Sequence, residues 1–273
     1  MSTKWPRAGT ASPFISAQTL ATALGTGSVA AVYVAADAGA PPPALIPGSV
    51  ETTLPTHYAA PGDPAQGRLP LPTRKSVRRW TAQAGLDLAR GIVVYDAGNG
   101  TAAARAWWVL SWAGLAGVRI LDGGLQAWTS YGAEGGPPQE SPWAAPVPAL
   151  AVIDTAAIAA RPAEYRLFDA RARSAYDGDG KAPSHLPGAV SSPASAWQDA
   201  RGRLLPVDQR REVARRLGLL ADDRRPVVAY CGSGVAAAYW IAAVQDLGID
   251  ASLYPGSWSA WSSDPARLAA TPA

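Results

Sequence analysis

One cysteine, two histidines, one methionine and two phenylalanines are all that 273 residues hold of those types. A single thiol excludes an internal disulfide and suits a reducing compartment, so a cytoplasmic location is expected. Cys231, His57 and His185 fall short of a structural zinc site of the Cys/His kind. No metal and no cofactor is therefore expected. Long apolar runs are also missing, so no segment reads as a membrane span. Lys4 and Arg7 precede an apolar-leaning stretch, but Ser, Gln, Thr and Gly interrupt it throughout. It reads better as a helix from Ala17 to Leu24, a glycine turn and a strand from Val29 to Val34 than as an export signal. Charge imbalance is small: 24 basic against 21 acidic residues leave +3, with no Lys/Arg run. Nucleic acid and membrane surface are excluded as partners on that ground. What the chain does have is 48% hydrophobic residues and eleven tryptophans, enough for a sizeable core.

Three features occur twice in the same order. "LIPGSV" at 45–50 matches "HLPGAV" at 185–190. "GIVVYDAGNGTAAARAWWVL" at 91–110 matches "RPVVAYCGSGVAAAYWIAAV" at 225–244, and "LDGGLQAW" at 121–128 matches "YPGSWSAW" at 254–261. Ordered similarity at this spacing means two copies of one domain rather than a short-period solenoid. The boundaries expected are 10–132 and 150–268, with a Pro/Gly-rich linker at 133–149. In each copy short apolar runs alternate with helical patterns. In the second, "YRLFDA" reads as a strand and "PVDQRREVARRLGLL" as a helix closed by Gly218. "PVVAY" reads as a buried strand, then comes a helix from about Val235 to Leu247 with Gly248 as its cap, and "ASLY" as a last strand. The fold class is α/β: two tandem domains, each a mostly parallel sheet with helices on both faces.

Cys231 stands just past the carboxyl end of the "PVVAY" strand and just before a helix. Ligand sites of open α/β sheets lie at such strand ends. Gly232 and Gly234 permit a tight loop whose successive N–H groups face inward, and nest and helix start alike favour a thiolate. The plainer alternative is a cysteine packed as a small hydrophobe beside a glycine turn.

"YCGSGVAAA", "HLPGAV", "LFDARA" and "YPGSWSAWSSDP" resemble the tandem-rhodanese sulfurtransferases, the thiosulfate and 3-mercaptopyruvate sulfurtransferases. The resemblance runs from about Ile15 to Pro265. It implies two rhodanese domains, only the second catalytic, and a double displacement. In it a cysteine takes sulfane sulfur from a small donor and passes it to a thiol or cyanide acceptor. Cys231 matches the sulfur carrier, and Gly232, Ser233, Gly234, Val235 and Ala236 match the cradle of the persulfide. Ser233 matches the serine that helps proton movement in mercaptopyruvate enzymes, whose loops read C-G-S-G-V. In the first copy Asp96 stands at the cysteine's place. It cannot carry sulfur, so that domain should be inert, with Asp96 capping its loop. A phosphatase of the C-x5-R kind is excluded, because Ala237 stands where its arginine would.

Three departures complicate the resemblance. Ala236 replaces the loop's usual Thr. Ala175 replaces the second arginine of "D-A-R-x-x-x-R-F", which anchors the donor's anionic group, although Asp169 and Arg171 remain. "SVETTLP" lacks the acidic residue of the Cys-Ser-Asp set. Arg173 or Lys181 is the candidate to stand in, the plainer reading of each being an ordinary solvated charge, and Arg171 either touches donor or holds Asp169. His185 should fix a turn, and His57 should lie in a surface loop. Trp107, Trp108, Trp112 and Trp128 read as interdomain core, and Trp258 and Trp261 as pocket walls. Two functions stay open: an active sulfurtransferase, or a degenerate tandem rhodanese that binds a partner or small anion without turnover.

Overall fold

Two parallel sheets carry the apolar runs. A computed structural model describes residues 12–37, 39, 44–86, 90–131, 150–180 and 184–269. The linker reading at 133–149 and Lys181 lie outside those residues. The first sheet has β1 (Phe14–Ile15), β2 (Val29–Ala35), β3 (Val50–Thr53), β4 (Gly91–Tyr95) and β5 (Val118–Leu121) in the order β1-β5-β4-β2-β3. Around it lie α1 (Ala17–Gly25), α2 (Leu54–His57), α3 (Arg74–Gln83), α4 (Thr101–Trp112) and α5 (Gly124–Thr129). The second sheet has β6 (Arg166–Asp169), β7 (Val190–Ser191), β8 (Val227–Tyr230) and β9 (Ser252–Leu253) in the order β7-β6-β8-β9. Its helices are α6 (Thr155–Ala160), α7 (Arg173–Asp177), α8 (Val207–Arg216), α9 (Val235–Gln245), α10 (Ser257–Trp261) and α11 (Pro265–Ala269). Every strand pairing within these sheets is parallel.

Strand residues alternate between two cores, as the pleat requires. Val32, Val34, Ile92 and Val94 face one cluster, and Val29, Ala31, Val93 and Tyr95 face another with Leu20 of α1. In the second sheet Phe168, Ala229 and Cys231 join the first of these clusters, while Leu167, Val228 and Tyr230 turn to their own outer face. The shared cluster therefore joins the domains, with α4 and α9 packed together inside it. A helix at that depth must be apolar all round. α9 is buried from Ala237 to Val244, and α4 from Ala102 to Ser111. Trp107 and Trp108 lie in this cluster, as expected, and Trp112 packs on its edge beneath Arg74. Trp128 does not: it packs on the outer core and stacks on Tyr131. Turn spacing in the sequence does not tell which face of a sheet a residue covers.

Further details differ by physical context. Gly248 (φ +79°) closes the turn beyond α9, whose direct cap is Asp246. His57 is half-buried rather than a plain surface residue. It ends α2 edge-on to Trp80 and accepts the Thr53 N–H at Nδ1, and burial lowers its pKa. Among the described residues no helix is long and apolar enough to cross a membrane.

Candidate active site

The repeated motifs meet at the ends of the central strands. Tyr95, last of β4, accepts the Ile46 N–H at 3.0 Å, and Tyr230, last of β8, accepts the Leu186 N–H at 3.1 Å. Each tyrosine thus pins the Pro-Gly turn of its own copy, which explains why the two motifs recur together. His185 fixes the same region. It stacks on Tyr176 at 3.9 Å, and its Nδ1 lies 3.1 Å from the Tyr176 carbonyl oxygen.

Cys231 follows β8 directly and is buried, at 3% exposure. Its N–H donates to Ser257 Oγ at 3.2 Å, and its Sγ accepts the Gly234 N–H at 3.1 Å. The amides of Gly232, Ser233, Val235 and Ala236 find no acceptor among the described residues. Four open N–H groups in the loop and first helical turn after Cys231, at the start of an eleven-residue helix, make anion-binding donors available there. The Ser233 hydroxyl is half-buried and likewise has no partner among the described residues. Gly234 caps α9 at φ +79°, a conformation that strongly favours glycine.

The turn after β9 supports the loop from outside. Trp258 N–H donates to the Cys231 carbonyl at 2.9 Å, and Ser259 N–H to the Gly232 carbonyl at 3.1 Å. Ser257 holds a left-handed φ of +53°, and its hydroxyl donates to the Tyr254 carbonyl while accepting from Cys231. Backbone strain at a non-glycine residue persists only when neighbours hold it, and here they fix the cysteine's own amide. Nothing in the serine's identity signals this.

Among the arginines read from sequence, Arg171 lies near the loop. Its guanidinium binds Asp169 through Nη2 at 2.6 Å, donates to the Ser184 carbonyl and lies 5.1 Å from the Trp258 ring centroid. Burial opposes its charge, but Asp169, Tyr230 and Cys231 together raise its pKa. Arg173 turns elsewhere. It is 69% exposed, paired with Asp177 at 2.8 Å and poised over Tyr176, with no contact to the loop among the described residues. Trp261 is buried in the outer core of the second domain, so Trp258 is left as the aromatic beside the site.

Two cations come from the first domain, and sequence reading missed both. A Cβ on Gly232 would lie 2.9 Å from Arg68 Nη2, and one on Gly234 would lie 2.9 Å from Arg105 Nη1. Arg105 is 1% exposed and donates to the Leu69 carbonyl at 2.8 Å and to the Tyr58 carbonyl at 3.4 Å, while its Nη1 has no hydrogen-bond partner among the described residues. Burial pushes its guanidinium down to about 10, against the pull of Cys231. A lone charge inside the apolar run of α4 was the available signal.

The first domain's own loop is closed. Asp96 accepts the N–H groups of Gly98 and Gly100 on Oδ1 and of Ala103 on Oδ2, all within 3.0 Å. Its carboxylate fills the nest that stays open around Cys231. Among the described residues, no cluster of three or more His, Cys, Asp or Glu is placed to hold a metal.

A rhodanese-like domain model matches residues 43–131 and 154–264. The chain belongs to the rhodanese family. It is 37% identical over 233 residues to SseB of Mycobacterium tuberculosis, provisionally named a thiosulfate sulfurtransferase, with 81% of each chain covered. It is 30% identical over 192 residues to the 3-mercaptopyruvate sulfurtransferase of Escherichia coli, covering 65% of this chain and 66% of that one. The crystal structure of SseA from Escherichia coli superposes with a TM-score of 0.70 at 24% identity, covering 90% of this chain and 99% of that one. This rhodanese therefore has the tandem fold, with Cys231 in the second copy and Asp96 in the first. Asp96→Ala should lower the unfolding free energy by about 1–3 kcal/mol, since three amides lose their acceptor. Sulfur loading of Cys231 should stay as in wild type. Denaturant titration and intact mass check the two halves of that expectation.

Proposed function

We propose that this rhodanese is a sulfurtransferase that moves sulfane sulfur from 3-mercaptopyruvate or thiosulfate to a thiophilic acceptor through a persulfide on Cys231. One observation carries the reading: Cys231 Sγ sits in a nest whose amides at Gly232, Ser233, Val235 and Ala236 are unclaimed among the described residues. A persulfide anion would use those donors, and a packing cysteine would have no need of them. The names of the relatives point the same way, so a binding module without turnover is not favoured.

The chemistry balances with protein groups alone. The Cys231 thiolate attacks the donor sulfur and forms an S–S bond as the donor's bond to that sulfur breaks. From mercaptopyruvate the bonding pair leaves on carbon, which takes the donor's thiol proton and becomes pyruvate. From thiosulfate the pair leaves with sulfite. The acceptor, a small thiol or cyanide, then attacks the outer sulfur and releases the Cys231 thiolate. Ser233, two residues past Cys231 and with a hydroxyl free of protein partners among the described residues, relays the donor's proton in this reading. Gly232, Gly234, Val235 and Ala236 supply the cradle, and Arg171 shapes its rim through Asp169 and Trp258. A cytoplasmic setting keeps the lone thiol reduced between turnovers.

Intact mass tests the proposal. Incubation with 3-mercaptopyruvate or thiosulfate should add one sulfur atom, and cyanide or dithiothreitol should remove it. A wild-type protein that gains no sulfur from either donor would leave the binding-module reading in its place.

A further inference from the structure

Both proposed donors are anions, and the open amides of the loop address the sulfur rather than the far end of the donor. A cation is needed there. Ala175 cannot provide one, Arg171 is held by Asp169 and the Ser184 carbonyl, and Arg173 is held by Asp177. Arg105 is buried beneath the loop.

Arg68 differs from all of these. It is exposed, and its guanidinium has no ion pair or hydrogen bond among the described residues. Its Nη2 lies 2.9 Å from where a Cβ on Gly232 would stand, so it rests directly over the residue next to Cys231. The backbone beneath it is fixed. Arg68 N–H donates to Ser259 Oγ at 3.1 Å, and Ser259 N–H donates to the Gly232 carbonyl. Gly67 (φ +90°) packs so closely on this turn that a Cβ there would lie 2.6 Å from the Gly256 carbonyl oxygen. The first domain is thus clamped to the Cys231 loop, with a guanidinium over Gly232 that has no partner among the described residues.

We propose that Arg68, from the domain that lacks the cysteine, anchors the anionic group of the sulfur donor. The role rests on the sulfurtransferase reading and fills the place left by Ala175. A guanidinium fork suits a carboxylate or a thiosulfonate equally, so Arg68 selects for anionic donors without choosing between them. Glycine at 232 leaves room for this placement, since a side chain there would push the guanidinium aside.

Two measurements on Arg68→Ala test this. Donor KM should rise roughly ten- to a hundredfold, the usual effect of losing a charge-assisted hydrogen bond, while kcat changes by less than about threefold. Independently of sulfur transfer, Cys231 can be alkylated by iodoacetate, which is anionic, and by iodoacetamide, which is neutral. The wild-type rate ratio should favour iodoacetate and should fall by roughly tenfold in Arg68→Ala, with Arg68→Lys in between. An unchanged ratio with an unchanged KM overturns the proposal. So does an equal loss of both alkylation rates, which would mark Arg68 as a loop support. If wild type takes no sulfur from either donor, the sulfurtransferase reading fails, and the alkylation ratio still decides whether Arg68 addresses anions.

Discussion

Replacing Cys231 with serine abolishes sulfur loading from both donors and lowers turnover by roughly a thousandfold or more. The chain has no second thiol to take over. A hydroxyl at this place stays protonated, because its ionisation lies far above that of a thiol, and oxygen does not form a stable analogue of the persulfide. The loop should survive the change. Gly234 N–H can donate to oxygen as it does to Sγ, and the Cys231 amide keeps its bond to Ser257. Burying a hydroxyl beside apolar neighbours costs about 1 kcal/mol when one hydrogen bond compensates it. Intact mass, turnover and a denaturation curve on the same preparation check the three parts. Residual turnover near wild type would place the chemistry somewhere other than Cys231.

Arg105→Met should slow persulfide formation by roughly a hundredfold with little change in stability. The first half follows from electrostatics in a dry site, where one aimed donor is worth about that much in rate. Arg105 Nη1 is buried, has no hydrogen-bond partner among the described residues and lies beside Gly234, which caps α9 behind Cys231. The second half follows from opposing terms of similar size. Burial, which pushes the guanidinium down to about 10, costs the fold on the order of a few kcal/mol. The guanidinium's hydrogen bond to the Leu69 carbonyl and two longer ones to the Tyr58 carbonyl return about as much. Removing both should leave the unfolding free energy within about 1 kcal/mol of wild type. Rapid-mixing kinetics and denaturant titration separate the two effects. Arg105→Lys keeps the charge and should recover part of the rate. A variant that unfolds easily but loads sulfur at the wild-type rate would make Arg105 a structural residue alone.

The part of the site that lies in one stretch of chain was legible in the sequence. A strand, a cysteine between small residues and an apolar helix follow one another from Val227 to Gln245, so local rules suffice to place the loop. The capping role of Asp96 was equally plain once that residue aligned with Cys231. Contributions that cross between domains were not legible. Arg68 sits in an irregular segment with no periodicity, and only the docking of Gly67 on the Gly256 turn brings it over Gly232. Arg105 announced a buried charge but not its target, which depends on how α4 and α9 pack. Arg173 is the reverse case. It lies close in sequence to the missing anchor, but Asp177, four residues on in α7, claims it, as the solvated-charge reading expects. The loops also differ by one residue, from Asp96 to Gly100 against Cys231 to Gly234, which alignment on the tyrosines conceals.

That extra residue bears on how the two halves diverged. In the first copy a carboxylate consumes the amides of Gly98, Gly100 and Ala103, in a loop one residue longer than the second. At the fifth position of α9, where α4 has Arg105, stands Tyr239, and its ring rather than a cation faces Gly100. A cysteine introduced at position 96 would inherit a longer loop and a neutral neighbour. Matching the first half to the second would take a deletion, a thiol and a charge in the opposite half together. Geometry thus ties each loop to the side chain it now holds.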